Sequence, residues 1–556
     1  MEKSKKIPVK LQVKWSSCLV LLVGLMMSCL SGCGKKIDAQ AVEEKDIAIL
    51  YTNDVHCAVE DHIGYAGLAA YEKELTEQGC EVLLVDVGDA IQGAPIGSLS
   101  KGENIIDIMN ELGYDVAIPG NHEFDYGVEQ LKALAKRAEF PYLSANFIEA
   151  DSKKHIFAPY VMKEVSGVKI GFVGVSTPLT LTSSNPTHFK DEKGTYLYDF
   201  MADADGTKLY SEVQKAVEQV REEGADYVVA LTHLGIGAVY SPYLATELIT
   251  HTHGIDAVLD GHSHTTAACE RVKNQEGKWT LLSQAGSKLE SVGMLLIDKT
   301  GNLSTGLLSE YDKKDAETET FIKNIESQYE ALLNQKVAVT QNTLTVHDPV
   351  TGERIIRNAE TNLGNLCADA YLAAGKADVA LVNGGGIRAD LPEGDITYGD
   401  ILGVFPYGNG LCVIEATGQE LLDALEHGTR QMPEENGGFL QVAGLTYEVD
   451  PEIPSAVKTD DNQMFLSVDG PRRVQHVKIA GTPIDPDQTY TVVSHSFLIK
   501  NSGDGYTMFA DNNLLQDEFV EDYTALIDYL MEDYTQKSDS YKDPYGEGRI
   551  VAVEKQ

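Results

Sequence analysis

Apolar and polar positions fall along this chain in two recurring patterns. Short runs are apolar almost without interruption, and longer stretches place apolar residues three or four apart. Ile47-Ala48-Ile49-Leu50-Tyr51-Thr52, Val82-Leu83-Leu84-Val85, Val168 to Val175, Ala225 to Leu231 and Ile255 to Leu259 are of the first kind. Such runs mark strands covered on both faces. Between them, Ile63 to Gly79 (with Leu68, Tyr71 and Leu75), Ile105 to Leu112 and Leu209 to Val220 each keep one apolar face at helical spacing. Strand alternating with helix predicts an α/β fold in layers. After a further strand at Val292 to Ile297, the positions Phe321, Ile325, Tyr329 and Leu332 predict one charged, amphipathic connecting helix. We place a first domain at 46–310, the linking helix in 311–344, and a second, α+β domain at 345–550. The second carries a predicted helix over 365–375 and four loops of note: Asn383 to Arg388, Phe405 to Asn409, Phe439 to Val442 and Gly503 to Tyr506.

The length of 556 residues agrees with two domains, since one core rarely serves so long a chain. The formal charge is −40; the first 32 residues carry five Lys and one Glu, a net +4, which leaves −44 for the rest. So acidic a chain is unsuited to gripping a nucleic-acid polymer by its phosphates. The N-terminus reads as a processing segment: Lys3, Lys5, Lys6, Lys10 and Lys14 precede the apolar run Leu19 to Leu30. Leu30-Ser31-Gly32-Cys33 then has the form of a bacterial lipobox. The expectation is a lipoprotein signal peptide at 1–32, a lipid on Cys33, a tether at 33–45, and a folded part held outside the cytoplasm on the cell membrane. Cys57, Cys80, Cys269, Cys367 and Cys412 are scattered and odd in number, which excludes a disulfide framework.

The chemistry collects where the strands stop. The run 47–52 ends in Asn53-Asp54-Val55-His56, the next in Gly88-Asp89, a short one in Gly120-Asn121-His122-Glu123-Phe124-Asp125, and the later two in Thr232-His233 and Gly261-His262-Ser263-His264. Asp54 and His56, two apart, reach one pocket if the chain there stays extended. Carboxylate, imidazole and amide together suit a pair of divalent cations of the Zn, Mn or Fe type; Mg sites lean on oxygen. Asp125, three residues beyond His122, is placed to orient its imidazole. His251 and His253 precede a strand rather than follow one and are set aside, as are His62, Glu123 and His495.

These strand-end motifs resemble those of the calcineurin-like metallophosphoesterases and, more narrowly, the secreted 5'-nucleotidase family. That group also contains UDP-sugar hydrolases and 2',3'-cyclic-nucleotide phosphodiesterases. The resemblance implies a four-layer α/β/β/α domain holding two divalent metal ions, followed by the substrate-binding domain to which Asn383 to Arg388 and Gly503 to Tyr506 correspond. It implies that Asp54, His56, Asp89 and His264 hold one metal and Asp89, Asn121, His233 and His262 the other, with Asp89 bridging. His122 is implied as the catalytic histidine and Asp125 as its partner. Arg357 (with Arg354 as a rival), Asn383 and Arg388 are implied on the phosphate side, Asp504 at the ribose, and Phe439 and Phe497 as the aromatic pair around the base.

The activity implied is metal-dependent hydrolysis of nucleoside 5'-monophosphates by in-line attack of an activated water, without a covalent phosphoenzyme. Hydrolysis of 2',3'-cyclic nucleotides or UDP-sugars is the alternative from the same machinery. A non-catalytic surface binding lipoprotein is the remote one, because no metal-site residue and no His122 is missing. The partners expected are a small nucleotide substrate and a membrane reached through the N-terminal lipid alone, with no obligate protein partner. A split site implies that the second domain swings to meet the first.

Overall fold

A computed structural model describes residues 43–191, 193–237, 241–532 and 534–553. The expected signal peptide, Cys33 and all but the last three residues of the tether lie outside the described residues. Among the described residues no helix is long and apolar enough to cross a membrane.

The uninterrupted apolar runs become the inner strands of two sheets. In the first, the order is Leu303–Leu308, Val292–Ile297, Ile47–Thr52, Glu81–Asp86, Val116–Ala117. In the second it is Thr266–Lys273, Trp279–Ala285, Ala257–Asp260, Tyr227–Thr232, Val168–Val175, Tyr160–Val165. The strands whose ends carry the chemistry pair in parallel, 47–52 with 81–86, 81–86 with 116–117, and 227–232 with 257–260. Their carboxyl ends therefore open on one side, the usual place for a ligand in a layered α/β fold.

Alternation along single strands explains the layering. Ile47, Ile49 and Tyr51 join Ile170, Phe172, Val229 and Leu231 in the core between the two sheets. Ala48 and Leu50 face the other way, onto the helices Gly64–Glu77 and Glu103–Leu112. Val228, Ala230 and Val258 do the same on the far side, against Thr207–Glu222 and Ala245–His251. Each such fully buried Ile, Leu or Val side chain contributes about 1.5–3 kcal/mol. The result is four layers, helix, sheet, sheet, helix.

The linking segment differs from the sequence expectation. Its helix stops at Glu326 (Ala316–Glu326), and a short turn of helix, Glu330–Leu333, follows. Ile322 and Ile325 pack into the helical layer of the first domain, whereas Leu332 is 43 % exposed. Asp315 caps the first helix by accepting from Thr318 N–H, and packing of Ile322 and Ile325 ties it to the first domain. The tertiary contact thus overrides the longer periodic pattern.

Beyond it, Leu440–Ala443, Val379–Asn383, Thr489–His495, Leu411–Thr417 and Leu514–Gln516 form a five-stranded sheet in that order. Ala380 and Val382 face the helices Asn362–Gly375 and Asp522–Glu532, while Val379 and Leu381 face Gly418–Gly428 on the opposite side. The second domain has a core on each face of its sheet.

Candidate active site

Five of the metal-site candidates sit on backbone that Asp and His rarely adopt. Asp54, His56, Asp89, His262 and His264 have φ of 50°, 49°, 61°, 77° and 54°. The extended conformation expected for Asp54 to His56 is therefore replaced by left-handed turns. Strain of this kind costs about 1–3 kcal/mol per residue and persists only where the surroundings impose it. Two glycines permit the crowding: a Cβ on Gly120 would lie 2.3 Å from Asp89 Oδ1, and one on Gly88 would lie 2.4 Å from Gly120 N.

The donors converge in two groups, Asp54–His56–His264 and Asp89–His233–His262, each with its ligand atoms within 4.8 Å of one another. His56 Nε2 and His264 Nε2 are 3.1 Å apart, and His264 Nε2 is 3.4 Å from Asp54 Oδ1. His233 Nε2 is 3.0 Å from Asp89 Oδ2 and 3.9 Å from Asp54 Oδ1, which joins the groups. Despite its closeness to Asp89, His233 Nε2 is not aligned for a hydrogen bond, and the buried Asn121 Oδ1 has no partner either. The other nitrogen of His233, Nδ1, lies 2.7 Å from the carbonyl of Val87 and donates to it, so Nε2 can turn a lone pair on the site. Burial, then the charge of His233, pushes His262 down to about 3; burial and His264 hold His56 well below its usual value. Burial opposes charge on His233 as well, but Asp89 overrides it and raises the group to about 10. The arrangement of carboxylates, imidazole nitrogens and the unpartnered amide oxygen fits two divalent cations.

His122 lies beside this set. Its backbone N–H donates to Asp89 Oδ1 at 2.8 Å, and its Nδ1 is 2.6 Å from Asp125 Oδ2. Burial works against the charged ring, but Asp125 and Asp89 outweigh it and raise the pKa. Glu123, which is not among the ligand groups, ties the loops together: its buried carboxylate accepts from Asp89 N (2.7 Å), Ala90 N (2.8 Å) and Gly120 N (2.7 Å). Its place in Gly120-Asn121-His122-Glu123 was the available signal.

Facing these residues is the second domain, across a cavity of about 430 Å³ lined by Asp89, Asn121, His122, His262 and His264 on one side and Arg357, Asn383, Arg388, Tyr407, Phe497 and Asp504 on the other. Arg354 does not line it; its guanidinium is spent on Glu435. Arg357 Nε is buried without a partner, and burial together with Arg354 and Arg388 disfavours its charge. A guanidinium keeps its proton, so the crowding becomes a demand for an anion. Asn383 Nδ2 donates to Asp504 Oδ2 at 2.7 Å, and the Phe497 ring rests on Gly503, where a Cβ would come within 2.4 Å of it.

Phe439 requires correction. It is 0 % exposed, packed in the second domain's core, and does not line the cavity. Its backbone is drawn into the sheet, where its carbonyl accepts from Gly384 N at 2.7 Å. Tyr407, from the Phe405 to Asn409 loop, stands at the cavity instead, its ring 6.0 Å from that of His122. His495 also lines the cavity. Its Nε2 donates to Asn383 Oδ1 at 2.9 Å and so fixes the amide that holds Asp504. His251 and His253 lie away from the cavity, at the end of Ala245–His251.

The calcineurin-like phosphoesterase family matches residues 47–266, and the 5'-nucleotidase C-terminal domain matches 337–511. The trifunctional nucleotide phosphoesterase protein YfkN of Bacillus subtilis is 30% identical over 91% of this chain, which spans 35% of that longer protein. A 5'-nucleotidase of Vibrio cholerae is 27% identical, with 92% of this chain and 95% of that protein covered. The crystal structure of a 5'-nucleotidase precursor from Thermus thermophilus superposes with a TM-score of 0.76 at 29% identity, covering 92% of this chain and all of that one. A sulfate thiohydrolase of the same organism shares the fold at 18% identity and a TM-score of 0.70, so the fold alone does not fix the reaction. Two family matches in tandem, full-length relatives and the same two-domain fold lead to one conclusion: this chain belongs to the 5'-nucleotidase family of calcineurin-like phosphoesterases.

Proposed function

We propose that this protein hydrolyses nucleoside 5'-monophosphates to nucleoside and phosphate. The observation that carries the reading is the cavity itself, which sets two cation-binding groups and His122 opposite Arg357, Arg388 and a pair of aromatic rings. Asp54, His56 and His264 hold one divalent cation and Asp89, His233, His262 and Asn121 the other. When bound, such a pair neutralises phosphate oxygens and acidifies an attacking water. Arg388 and Arg357 orient the phosphate from the opposite wall. Asp125 holds Nδ1 of His122, which leaves Nε2 to steady the phosphate or to hand a proton to the departing ester oxygen. Tyr407 and Phe497 clamp the base, and Asp504 receives the ribose hydroxyls.

The reading is tested by phosphate release from AMP, UDP-glucose, 2',3'-cyclic AMP and ATP, with and without added Mn or Zn. Fastest metal-dependent turnover of AMP supports it; preference for the cyclic nucleotide or the UDP-sugar moves the assignment to those activities. No release from any of them leaves a binding protein.

We also propose that the folded part is held outside the cytoplasm by lipid on Cys33. Support comes from the Leu30-Ser31-Gly32-Cys33 motif behind a basic and then apolar segment. Cys33→Ser is expected to move the protein from the detergent phase to the aqueous phase; unchanged partition of the variant overturns the anchor.

A further inference from the structure

Asp125 is itself held, and by a residue distant in sequence. With Oδ2 on His122 Nδ1, it turns Oδ1 toward Ser184, whose hydroxyl donates to it at 3.0 Å. Ser184 is 1 % exposed. It follows the helical turn Thr180–Ser183 in an extended conformation, and its N–H donates to Thr180 O at 3.1 Å. Just beyond, Asn185 caps the next turn by accepting from Thr187 N, and His188 Nδ1 lies 3.0 Å from the carbonyl of Phe124, the residue before Asp125. The segment is thus clasped to the His122 loop at two adjacent points.

Its other side meets the substrate. Thr182, Ser183, Asn185 and His188 line the cavity, and Thr180–Ser183 lies against Gly503–Gly505, the turn that carries Asp504 of the second domain. A carboxylate held by one oxygen still rotates about its Cβ–Cγ bond, and the imidazole bonded to it swings with it. A donor on the second oxygen fixes the plane of both groups. Ser184 is well suited to this because its hydroxyl is buried and its backbone is pinned.

We propose that Ser184 is a positioning residue that fixes Asp125, and through it the ring of His122, from a segment that also touches the substrate-domain loop. The inference rests on the reading of His122 as the group that acts on the phosphate ester. The test compares kcat and KM for AMP, and bound metal, in the wild type, Ser184→Ala, Ser184→Thr, His122→Ala and the double variant His122→Ala/Ser184→Ala. Ser184→Ala is expected to lower kcat roughly tenfold, the scale of one hydrogen bond to a charged group, with KM and metal content unchanged. Threonine keeps the hydroxyl and is expected to restore most of the loss. With His122 already removed, Ser184→Ala is expected to cost nothing more, because the two act as one unit. Unchanged kcat in Ser184→Ala, or an equal loss in both backgrounds, overturns the positioning role and leaves the His122 reading standing. Full turnover in His122→Ala sinks both.

Discussion

His56 and His264 face each other with their Nε2 atoms 3.1 Å apart. His56 Nδ1 lies 3.0 Å from the carbonyl of Gln92, which only accepts, so the ring proton belongs on Nδ1 and Nε2 keeps its lone pair. Burial, then the other histidine for His56, holds both rings below their ordinary pKa. Two neutral rings aimed at one point beside Asp54 are a cation site in the making. His264→Ala leaves that group with two donors. We expect bound metal to fall from two ions to one per chain, and phosphate release to fall by roughly a hundredfold or more. Elemental analysis after dialysis checks it; two ions retained would remove His264 from the metal shell.

His122 offers the opposite behaviour. It touches Asp89 through its backbone N–H and Asp125 through its ring, and belongs to neither ligand group. His122→Ala is expected to lower kcat by roughly 10² to 10⁴, the usual scale for a proton-transferring side chain, with metal content intact. Loss of metal in the purified variant would show that the ring is a ligand.

The strand ends were legible in the sequence because covered strands read as unbroken apolar runs, and most of those runs stopped within a few residues of an Asp, Asn or His; Val168 to Val175, which ends at Ser176-Thr177, does not. What the residues did not disclose is tertiary. Nothing in Asp54-Val55-His56 announces left-handed backbone; the turns are imposed by packing against Asp89 and Gly88, whose backbone groups pair with those of His56 and Asp54. The linking helix breaks where its packing changes partner: Ile322 and Ile325 lie on the first domain, whereas Glu330–Leu333 lies against Tyr398–Val404 of the second. Phe439 and Tyr407 are both aromatics in glycine-rich loops, and only the sheet decides which faces inward.

That pair gives a third prediction. Stacking of a base on an aromatic ring is worth about 1–3 kcal/mol, so Tyr407→Ala is expected to raise KM for AMP roughly tenfold with little change in melting temperature. Phe439→Ala removes a fully buried ring and is expected to cost about 3–5 kcal/mol of stability, while the folded fraction keeps its KM. Denaturant unfolding and initial-rate kinetics on both variants separate the roles. A KM effect confined to Phe439→Ala would return the base platform to Phe439.

His495 supplies a prediction about pH. Leu498 N–H points at its Nδ1 at 3.3 Å, and its Nε2 donates to Asn383 Oδ1 at 2.9 Å, so the structure is built for the neutral ring. Burial pushes its pKa down to about 4. Since the unfolded chain titrates at the ordinary value near 6.5, the unfolded state binds more protons between the two, and the stability present above about 6.5 is lost as pH falls toward 4. The full loss amounts to roughly 3 kcal/mol. A second proton would also set Nδ1–H against the N–H of Leu498 and loosen Asn383, which holds Asp504 at 2.7 Å. His495→Gln cannot titrate, so its unfolding free energy is expected to fall less steeply than the wild type's between pH 6.5 and 4, even if it starts lower. Parallel curves for the two proteins would mean that His495 takes up its proton in the folded chain without resistance.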